Sequence, residues 1–322
     1  MTWLVTGGAG YIGGHVVREF TERGIPVVAY DDLSTGRRRF VPEGVPLVVA
    51  SVLDRTALRA ALADHAVVGV IHLAGFKYAG VSVQRPLHTY QQNVTGTLIL
   101  LEEMAERGVG RIVFSSSAAV YGTPTSELVT EESPKQPLSP YGESKLIAEW
   151  LLRDQAVAIG LKHTSLRYFN VVGSGYPDVF DVSPHNLLPL VFEALIAGRT
   201  PKIFGTDYHT PDGTCVRDYV HVKDLATSHV AAALRLSAGL PVEAAYNLGS
   251  GRGLSVAEIM AAVAEVTGMA FSPELAPRRP GDPARIVANG DLAARDLDWR
   301  MRHGLRDIVD SAWNARQRAA AE

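Results

Sequence analysis

Thr6-Gly7-Gly8-Ala9-Gly10-Tyr11-Ile12-Gly13 is the stretch from which the rest of the chain can be read. It follows a short β-prone run, Trp3–Thr6. It precedes Ile12, Val16, Val17 and Phe20, which recur at helical spacing. Glycines at 7, 10 and 13 in that setting permit a tight turn, let the backbone approach a pyrophosphate and let the helix pack close to its strand. The phosphates then meet free N–H groups at the helix N-terminus. Asp31, 18 residues after Gly13, ends the second apolar run, which begins at Pro26. A carboxylate there accepts hydrogen bonds from both hydroxyls of an adenosine ribose and repels a 2′-phosphate. The stretch therefore predicts a dinucleotide site that takes NAD in preference to NADP. Arg37–Arg39 could greet a 2′-phosphate instead, but a solvated loop explains it equally well.

Outward from this turn, Pro46–Ala50, Val67–Leu73, Arg111–Ser115 and Lys162–Arg167 read as further strands. Helical patterns lie between them at Arg55–Ala63, Thr89–Arg107 and Tyr141–Ala158. Apolar runs separated by helices are the pattern of strands buried on both faces of a parallel sheet. The expectation is an α/β fold: a doubly wound parallel Rossmann sheet in residues 1–170, with NAD across the strand C-termini. Beyond Asn170 the grammar changes. Gly, Pro, Asp and His crowd Ser174–Asp218, and helical patterns return at Lys223–Leu236, Ser255–Thr267 and Leu305–Arg318. Residues 171–322 are expected to form a smaller C-terminal α/β substrate-binding domain, with the reaction in the cleft between. The boundary is soft, because later segments could return to the first sheet. The terminal Ala319–Glu322 is expected to fray.

Composition narrows the partners. The 322 residues make about two domains, with 47% hydrophobic and 20% charged residues. The longest apolar stretch, Ala66–Gly75, falls well short of the roughly 18 residues of a membrane span. No basic segment followed by an apolar one opens the chain, so no secretory signal is read and a cytoplasmic location is expected. Cys215 is the single cysteine, which rules out an internal disulfide and a cysteine-based zinc cluster, and no metal is expected. Cys215 is assigned to packing. Net charge is −3 and no basic run exceeds Arg37–Arg39, so neither nucleic acid nor membrane is expected as a partner.

A second constellation supplies chemistry. Tyr141-Gly142-Glu143-Ser144-Lys145 places Tyr141 and Lys145 four apart, on one helix face. Ser117 lies just after an apolar strand, in Ser115-Ser116-Ser117-Ala118-Ala119-Val120-Tyr121-Gly122. A phenol of ordinary pKa about 10 is a poor base at neutral pH. A neighbouring ammonium and a positively charged nicotinamide both favour the phenolate. Lowering the pKa by ~3 units takes about 4 kcal/mol. The Ser117 hydroxyl can bridge to a substrate oxygen. These three residues are the catalytic candidates.

Together these motifs resemble the extended short-chain dehydrogenase/reductases, and among them the UDP-galactose (UDP-glucose) 4-epimerases. The resemblance runs over nearly the whole chain. It includes His72-Leu73-Ala74-Gly75-Phe76-Lys77, Asn93-Val94-Thr95-Gly96-Thr97, Arg167-Tyr168-Phe169-Asn170 and Asn186-Leu187-Leu188-Pro189. It continues through Asp212-Gly213-Thr214-Cys215-Val216-Arg217-Asp218-Tyr219 and Arg278-Arg279-Pro280-Gly281-Asp282. The resemblance implies that Tyr141 is the base, that Lys145 anchors the cofactor and that Ser117 bonds the sugar hydroxyl. It places Gly7, Gly10, Tyr11, Ile12, Gly13, Asp31, Ser51, Val52, Leu73, Ala74, Ser115 and Tyr168 at the cofactor. Lys77 would reach the cofactor ribose or pyrophosphate and also touch substrate, and Asn93 would line the nicotinamide side. Asn170, Asn186, Arg217 and Arg279 would hold the diphosphate, the arginines through charge-assisted hydrogen bonds. Asp282 would accept from the uridine ribose, and Leu187, Phe204, Tyr219 and Ile286 would complete the substrate site. Ser51 stands where the family often carries Asp beside the adenine, His185 precedes Asn186 where Asn or a Ser-like residue is familiar, and Cys215 replaces a frequent Gly.

The implied reaction is reversible, NAD-dependent C4 epimerisation of a UDP-hexose, UDP-glucose or UDP-galactose, through a transient 4-keto sugar. Related nucleotide-sugar dehydratases carry an Asp-Glu pair beside the catalytic Ser or Thr; here Ala118 and Ala119 leave water elimination without an agent. Decarboxylases carry a Glu in the same segment, also absent. A plain dehydrogenase has no use for the diphosphate ligands, and a non-catalytic NAD-sensing scaffold has no use for Ser117, Tyr141 and Lys145. The rival within the family is a 4-epimerase preferring UDP-N-acetylhexosamine or UDP-glucuronate. The family residue that tunes N-acetyl acceptance aligns with Ile286, smaller than Tyr and larger than Cys. Finally, Leu98, Leu101 and Met104 on one helix and Ile147, Trp150 and Leu151 on another are expected to pair with a twin copy in a homodimer.

Overall fold

Trp3 and Val5 point to one side of the first strand and Leu4 to the other, and all three are buried. Side chains alternate across a strand, so a run with no polar member must be covered on both faces. The computed structural model describes residues 1–279 and 282–321; Pro280, Gly281 and Glu322, all parts of the sequence reading, lie outside the described residues.

In chain order the strands are β1 (Thr2–Thr6), β2 (Val27–Asp31), β3 (Leu47–Val49), β4 (Val67–His72), β5 (Arg111–Ser115), β6 (Lys162–Tyr168), β7 (Asn170–Val172), β8 (Lys202–Phe204), β9 (Val216–Arg217), β10 (Tyr219–His221), β11 (Ala245–Leu248), β12 (Leu254–Ser255), β13 (Glu274–Ala276) and β14 (Arg285–Ile286). The helices are α1 (Tyr11–Glu22), α2 (Arg55–Asp64), α3 (Ala79–Gln84), α4 (Pro86–Tyr90), α5 (Gly96–Glu106), α6 (Pro140–Ile159), α7 (Leu187–Ile196), α8 (Val222–Ser237), α9 (Val256–Thr267), α10 (Asp291–Leu297) and α11 (Leu305–Ala321).

Seven strands form one parallel sheet in the order β11-β6-β5-β4-β1-β2-β3. The order reverses beside β1, and there a doubly wound sheet opens its crevice. One face carries α1, α8 and α10 over Trp3, Val16, Phe20, Leu225, Val230 and Trp299. The other carries α2, α5 and α6 over Leu4, Leu58, Leu62, Leu100, Met104 and Leu152. Each fully buried side chain of this size contributes about 1.5–3 kcal/mol. β11, although it lies at residues 245–248, pairs with β6 in this first sheet. A third core gathers α7, α9 and α11 around Phe192, Tyr219, Ile259 and Trp313. Small sheets β10-β7, β12-β9-β14 and β13-β8 attach to it.

Two expectations change. The single helix expected over Thr89–Arg107 is α4, then a π-helical turn at Gln91–Thr95, then α5. The extra residue in that turn rotates Asn93 inward, where its Oδ1 accepts from Phe76 N (2.6 Å) and its Nδ2 donates to Phe76 O (2.9 Å) and Ser144 Oγ (2.8 Å). The apolar faces expected to meet a twin copy are also partly spent inside the subunit. Leu101 and Met104 are buried in the core and Leu151 packs against it, while Leu98 and Trp150 face outward.

Candidate active site

The glycine turn shows why each small residue is needed. Gly7 has φ +72°, and a Cβ there would stand 2.8 Å from Ala74 N. A Cβ on Gly13 would lie 1.9 Å from Gly7 O, so the helix can start against the turn only if residue 13 has no side chain. Gly8 is as constrained, 2.8 Å from Val5 O and from Ala29 Cβ, although the glycine spacing gives it no role. Gly10 sits at the N-cap of α1 with no side-chain cap, so no side chain claims the first-turn amides.

A cavity of about 340 Å³ opens over this turn. Gly7, Gly10, Tyr11, Ile12, Gly13, Asp31, Val52, Leu73, Ala74, Lys77, Tyr141, Lys145 and Tyr168 all line it. A bare-backbone cradle, a carboxylate at the end of β2 and a phenol–amine pair at the far end fit an NAD molecule. Asp31 is held by two backbone donors, Ala9 N at 3.0 Å to Oδ2 and Leu33 N at 2.8 Å to Oδ1. Burial nonetheless raises its pKa above the ordinary value.

At the other end, Pro140 opens α6 and Ser139 caps it, its Oγ accepting from Gly142 N at 3.2 Å. Tyr141 thereby falls in the first turn with Lys145 one turn on. Lys145 Nζ stands 5.8 Å from the Tyr141 ring centroid and donates to Ser115 O at 2.8 Å. Burial lowers the Lys145 pKa to about 8, while Glu149 pulls it upward. Burial also raises the Tyr141 phenol, and a hydrogen bond with the Ser117 hydroxyl draws it back down. Ser117 caps the short 3-10 turn Ala118–Tyr121 after β5, its Oγ accepting from Ala119 N at 3.2 Å. On balance burial holds the phenol above its ordinary pKa, and the positively charged nicotinamide of a bound NAD would favour its anion.

The remaining expected residues divide. Ser51 is not among the cavity-lining residues: its Oγ accepts from Leu53 N (3.2 Å) and its carbonyl from the Tyr30 phenol (2.8 Å). Asn93 lies behind the wall, its amide occupied by Phe76 and Ser144, and Ser115 lies beneath the floor. The residues expected at the diphosphate have separate partners. Arg217 is buried; its Nη1 donates to Val216 O (2.9 Å) and Pro283 O (2.7 Å), and its Nη2 pairs with Asp282 at 3.4 Å. Arg279 stacks over Phe204, 4.1 Å from the ring centroid. Asn186 heads α7 and donates to Asp181 at 2.6 Å, with Leu187 beside it. Asn170 is exposed at the start of β7, Tyr219 is buried in the third core, and Ile286 packs behind the Ala118–Tyr121 turn. Cys215 is buried, and burial pushes its thiol up.

Several residues escaped the sequence reading. Asp32, Ser34 and Thr35 continue the cavity wall from Asp31, and their adjacency to it was the available signal. Tyr78, His88 and Gln92 come from segments with no motif of their own, and Phe76 lies inside the His72–Lys77 motif, where no role was given to it. Tyr78 meets His185 edge-on at 4.9 Å, which joins the cavity rim to the loop carrying Asn186. Asp218, inside the Arg217–Tyr219 motif, is a structural clamp that accepts from Ser250 N (2.7 Å) and Ala288 N (3.1 Å).

Comparison with known proteins agrees with this geometry. Residues 3–249 match the model of the NAD dependent epimerase/dehydratase family. The chain is similar to the UDP-glucose 4-epimerase of Azospirillum brasilense, 45% identical over 315 residues that cover 96% of this chain and 90% of the relative. It superposes on the UDP-glucose 4-epimerase of Brucella ovis in complex with NAD at a TM-score of 0.93, with 38% identity and 97% of each chain covered. It superposes on that of Bifidobacterium longum in complex with NAD+ and UDP at 0.91, with 36% identity and 99% of each chain covered.

Proposed function

We infer the function from one premise: the chain belongs to the NAD dependent epimerase/dehydratase family. It is an enzyme that uses NAD to epimerise a UDP-hexose, UDP-glucose or UDP-galactose, at C4 through a transient 4-keto sugar. The observation that carries this reading is the placement of Tyr141 and Lys145 at the end of a glycine-floored cavity whose opposite end is closed by Asp31.

The residue roles are our proposal. Gly7, Gly10 and Gly13 admit the pyrophosphate, Asp31 takes the adenosine ribose, and Lys145 takes the second ribose. Bound NAD would supply the acceptor for the C4 hydride and return it to the other face. Tyr141, as phenolate, removes the 4-hydroxyl proton while Ser117 holds that oxygen, and Tyr141 returns the proton after the sugar has turned over. Arg217, Arg279, Asn170, Asn186 and Asp282 grip the UDP, so the sugar can swing while its tether stays fixed. Residues 1–170 hold NAD and 171–322 mainly hold the UDP-sugar. No described helix is long and apolar enough to cross a membrane; we propose a cytoplasmic enzyme. We also propose a homodimer through the outward Leu98 and Trp150, and light scattering that finds a monomer at micromolar concentration would remove it.

The test is to incubate purified protein and NAD with UDP-glucose or UDP-galactose and follow product and mass. Interconversion at constant mass is expected. Loss of water or carbon dioxide, or a Tyr141→Phe variant as active as the parent, would overturn the reading. Equal efficiency with UDP-N-acetylglucosamine would remove the preference for the plain hexose.

A further inference from the structure

His229 is fully buried on α8, and no step above uses it. Its Nδ1 lies 2.9 Å from Leu225 O, one turn earlier. A carbonyl can only accept, so Nδ1 carries the proton. Burial pushes the ring pKa down to about 4, so the imidazole is neutral near pH 7 and Nε2 is an acceptor. Ser115 Oγ stands 2.8 Å from Nε2 and therefore donates to it. The same serine's carbonyl accepts from Lys145 Nζ at 2.8 Å. One residue at the end of β5 is thus gripped from α8 through its side chain and from α6 through its main chain.

Tyr168 tightens the arrangement. Its ring lines the cavity, lies 6.2 Å from the His229 ring and feels Tyr141 electrostatically. The titratable groups that act on or with Lys145 are Tyr141 and Glu149 on its own helix and the neutral His72 from β4. Burial requires partners for both ring nitrogens whatever the role; what sets His229 apart is that its Nε2 partner is the residue whose carbonyl seats Lys145.

We propose that His229 is a positioning residue for the Tyr141–Lys145 pair, holding the Lys145 ammonium beneath the phenol through Ser115. The role rests on the epimerase reading given above. Loss of the Nε2 acceptor leaves the buried Ser115 hydroxyl with the Tyr168 phenol as its remaining partner, so the end of β5 that seats Lys145 is held by one bond fewer.

The experiment compares His229→Leu, His229→Gln and Tyr141→Phe. Gln places an acceptor oxygen where Nε2 stands; Leu has none. His229→Leu is expected to lower kcat by about tenfold or more, as a displaced catalytic group does, with KM for UDP-glucose little changed. The acid limb of its kcat profile moves to higher pH, because a phenolate with a misplaced ammonium is harder to form. The ultraviolet phenolate titration of Tyr141, taken as a difference against Tyr141→Phe, moves the same way without any turnover. His229→Gln recovers most of each property. Should His229→Leu fail to fold, His229→Asn, too short to reach Ser115, carries the same expectation. An unshifted limb and titration in Leu or Asn, or equal loss in Gln and Asn, would overturn the proposal. If Tyr141→Phe retains full activity, the epimerase reading itself has failed; if it is inactive while the His229 variants match the parent, only the positioning role has.

Discussion

Arg167 on β6 closes on Glu149 of α6 through two nitrogens, Nε at 2.9 Å and Nη2 at 2.6 Å, one helical turn beyond Lys145. The pair is nearly buried, and Ser116 Oγ donates to the same Glu149 oxygen as Arg167 Nε, at 2.5 Å. Arg167 also donates to Tyr121 Oη at 2.8 Å, and Tyr121 to Asn247 Oδ1 at 2.7 Å, so the network ties α6 to β11. Glu149 is thereby neutralised by Arg167 and left with a modest pull on Lys145.

Breaking this pair should be costly. Arg167→Leu strands a buried carboxylate and is expected to destabilise the fold by about 3–5 kcal/mol. Chemical denaturation checks this. The double variant Arg167→Leu/Glu149→Leu should lose less than the sum of its two single losses.

Tyr141→Phe removes the group proposed above to take the sugar proton, and kcat should fall by about 10²–10⁴-fold. Lys145→Met removes the neighbouring ammonium and leaves the phenol with burial, which raises its pKa, and the Ser117 hydrogen bond, which lowers it. The active form is the phenolate, so a raised pKa moves the acid limb of the kcat profile to higher pH. Steady-state kinetics across pH read both effects.

Gly13→Ala sets a Cβ 1.9 Å from Gly7 O and should abolish NAD binding, as calorimetry or fluorescence would show. Gly24→Ala meets no atom within 4 Å and bears only its left-handed φ of +67°. It should cost about 1–2 kcal/mol of stability and leave NAD affinity unchanged.

Asp31→Ser removes the carboxylate at the end of β2. NAD affinity should fall by about tenfold, the loss of one charge-assisted hydrogen-bond partner, while NADP binding improves. Competition titration of the two nucleotides gives the ratio, and an unchanged ratio would exclude Asp31 as the selector.

Four buried histidines make the fold acid-labile. Burial lowers His15, His72 and His221 to about 3 and His229 to about 4. Between those values and the ordinary 6.5, the unfolded chain binds protons that the folded chain does not. Stability is therefore fully present above about pH 6.5 and is lost as pH falls toward 4, each group adding a slope of up to about 1.4 kcal/mol per pH unit. Melting temperatures measured from pH 7 to 4 test this. His15→Gln, which keeps an acceptor for Gly175 N, should flatten the slope.

Much of the site was legible because its determinants are local. A glycine turn between a strand and a helix, an acid at the next strand's end and a tyrosine four residues before a lysine are fixed by bonded geometry and helical pitch. The structure put all of them around one cavity. Asn93 stands outside the cavity lining because it sits in a π-helical turn and bonds Phe76 of another segment, a contact that local periodicity does not record. The apolar faces were legible only in part: periodicity shows that Leu101 and Met104 are buried, but not that they pack within the subunit while Leu98 and Trp150 face outward.

By itself, the sequence determined the parallel α/β framework, the nucleotide cradle and the tyrosine–lysine pair, because short-range sterics and periodic hydrophobicity dictate each. Only the tertiary structure decided that β11 returns to the first sheet, that Arg167 neutralises Glu149 beside Lys145, and that His229 reaches Ser115. Those contacts join residues 18 to 114 positions apart. They are selected by the burial of polar groups that must find partners away from water, a condition no local pattern records.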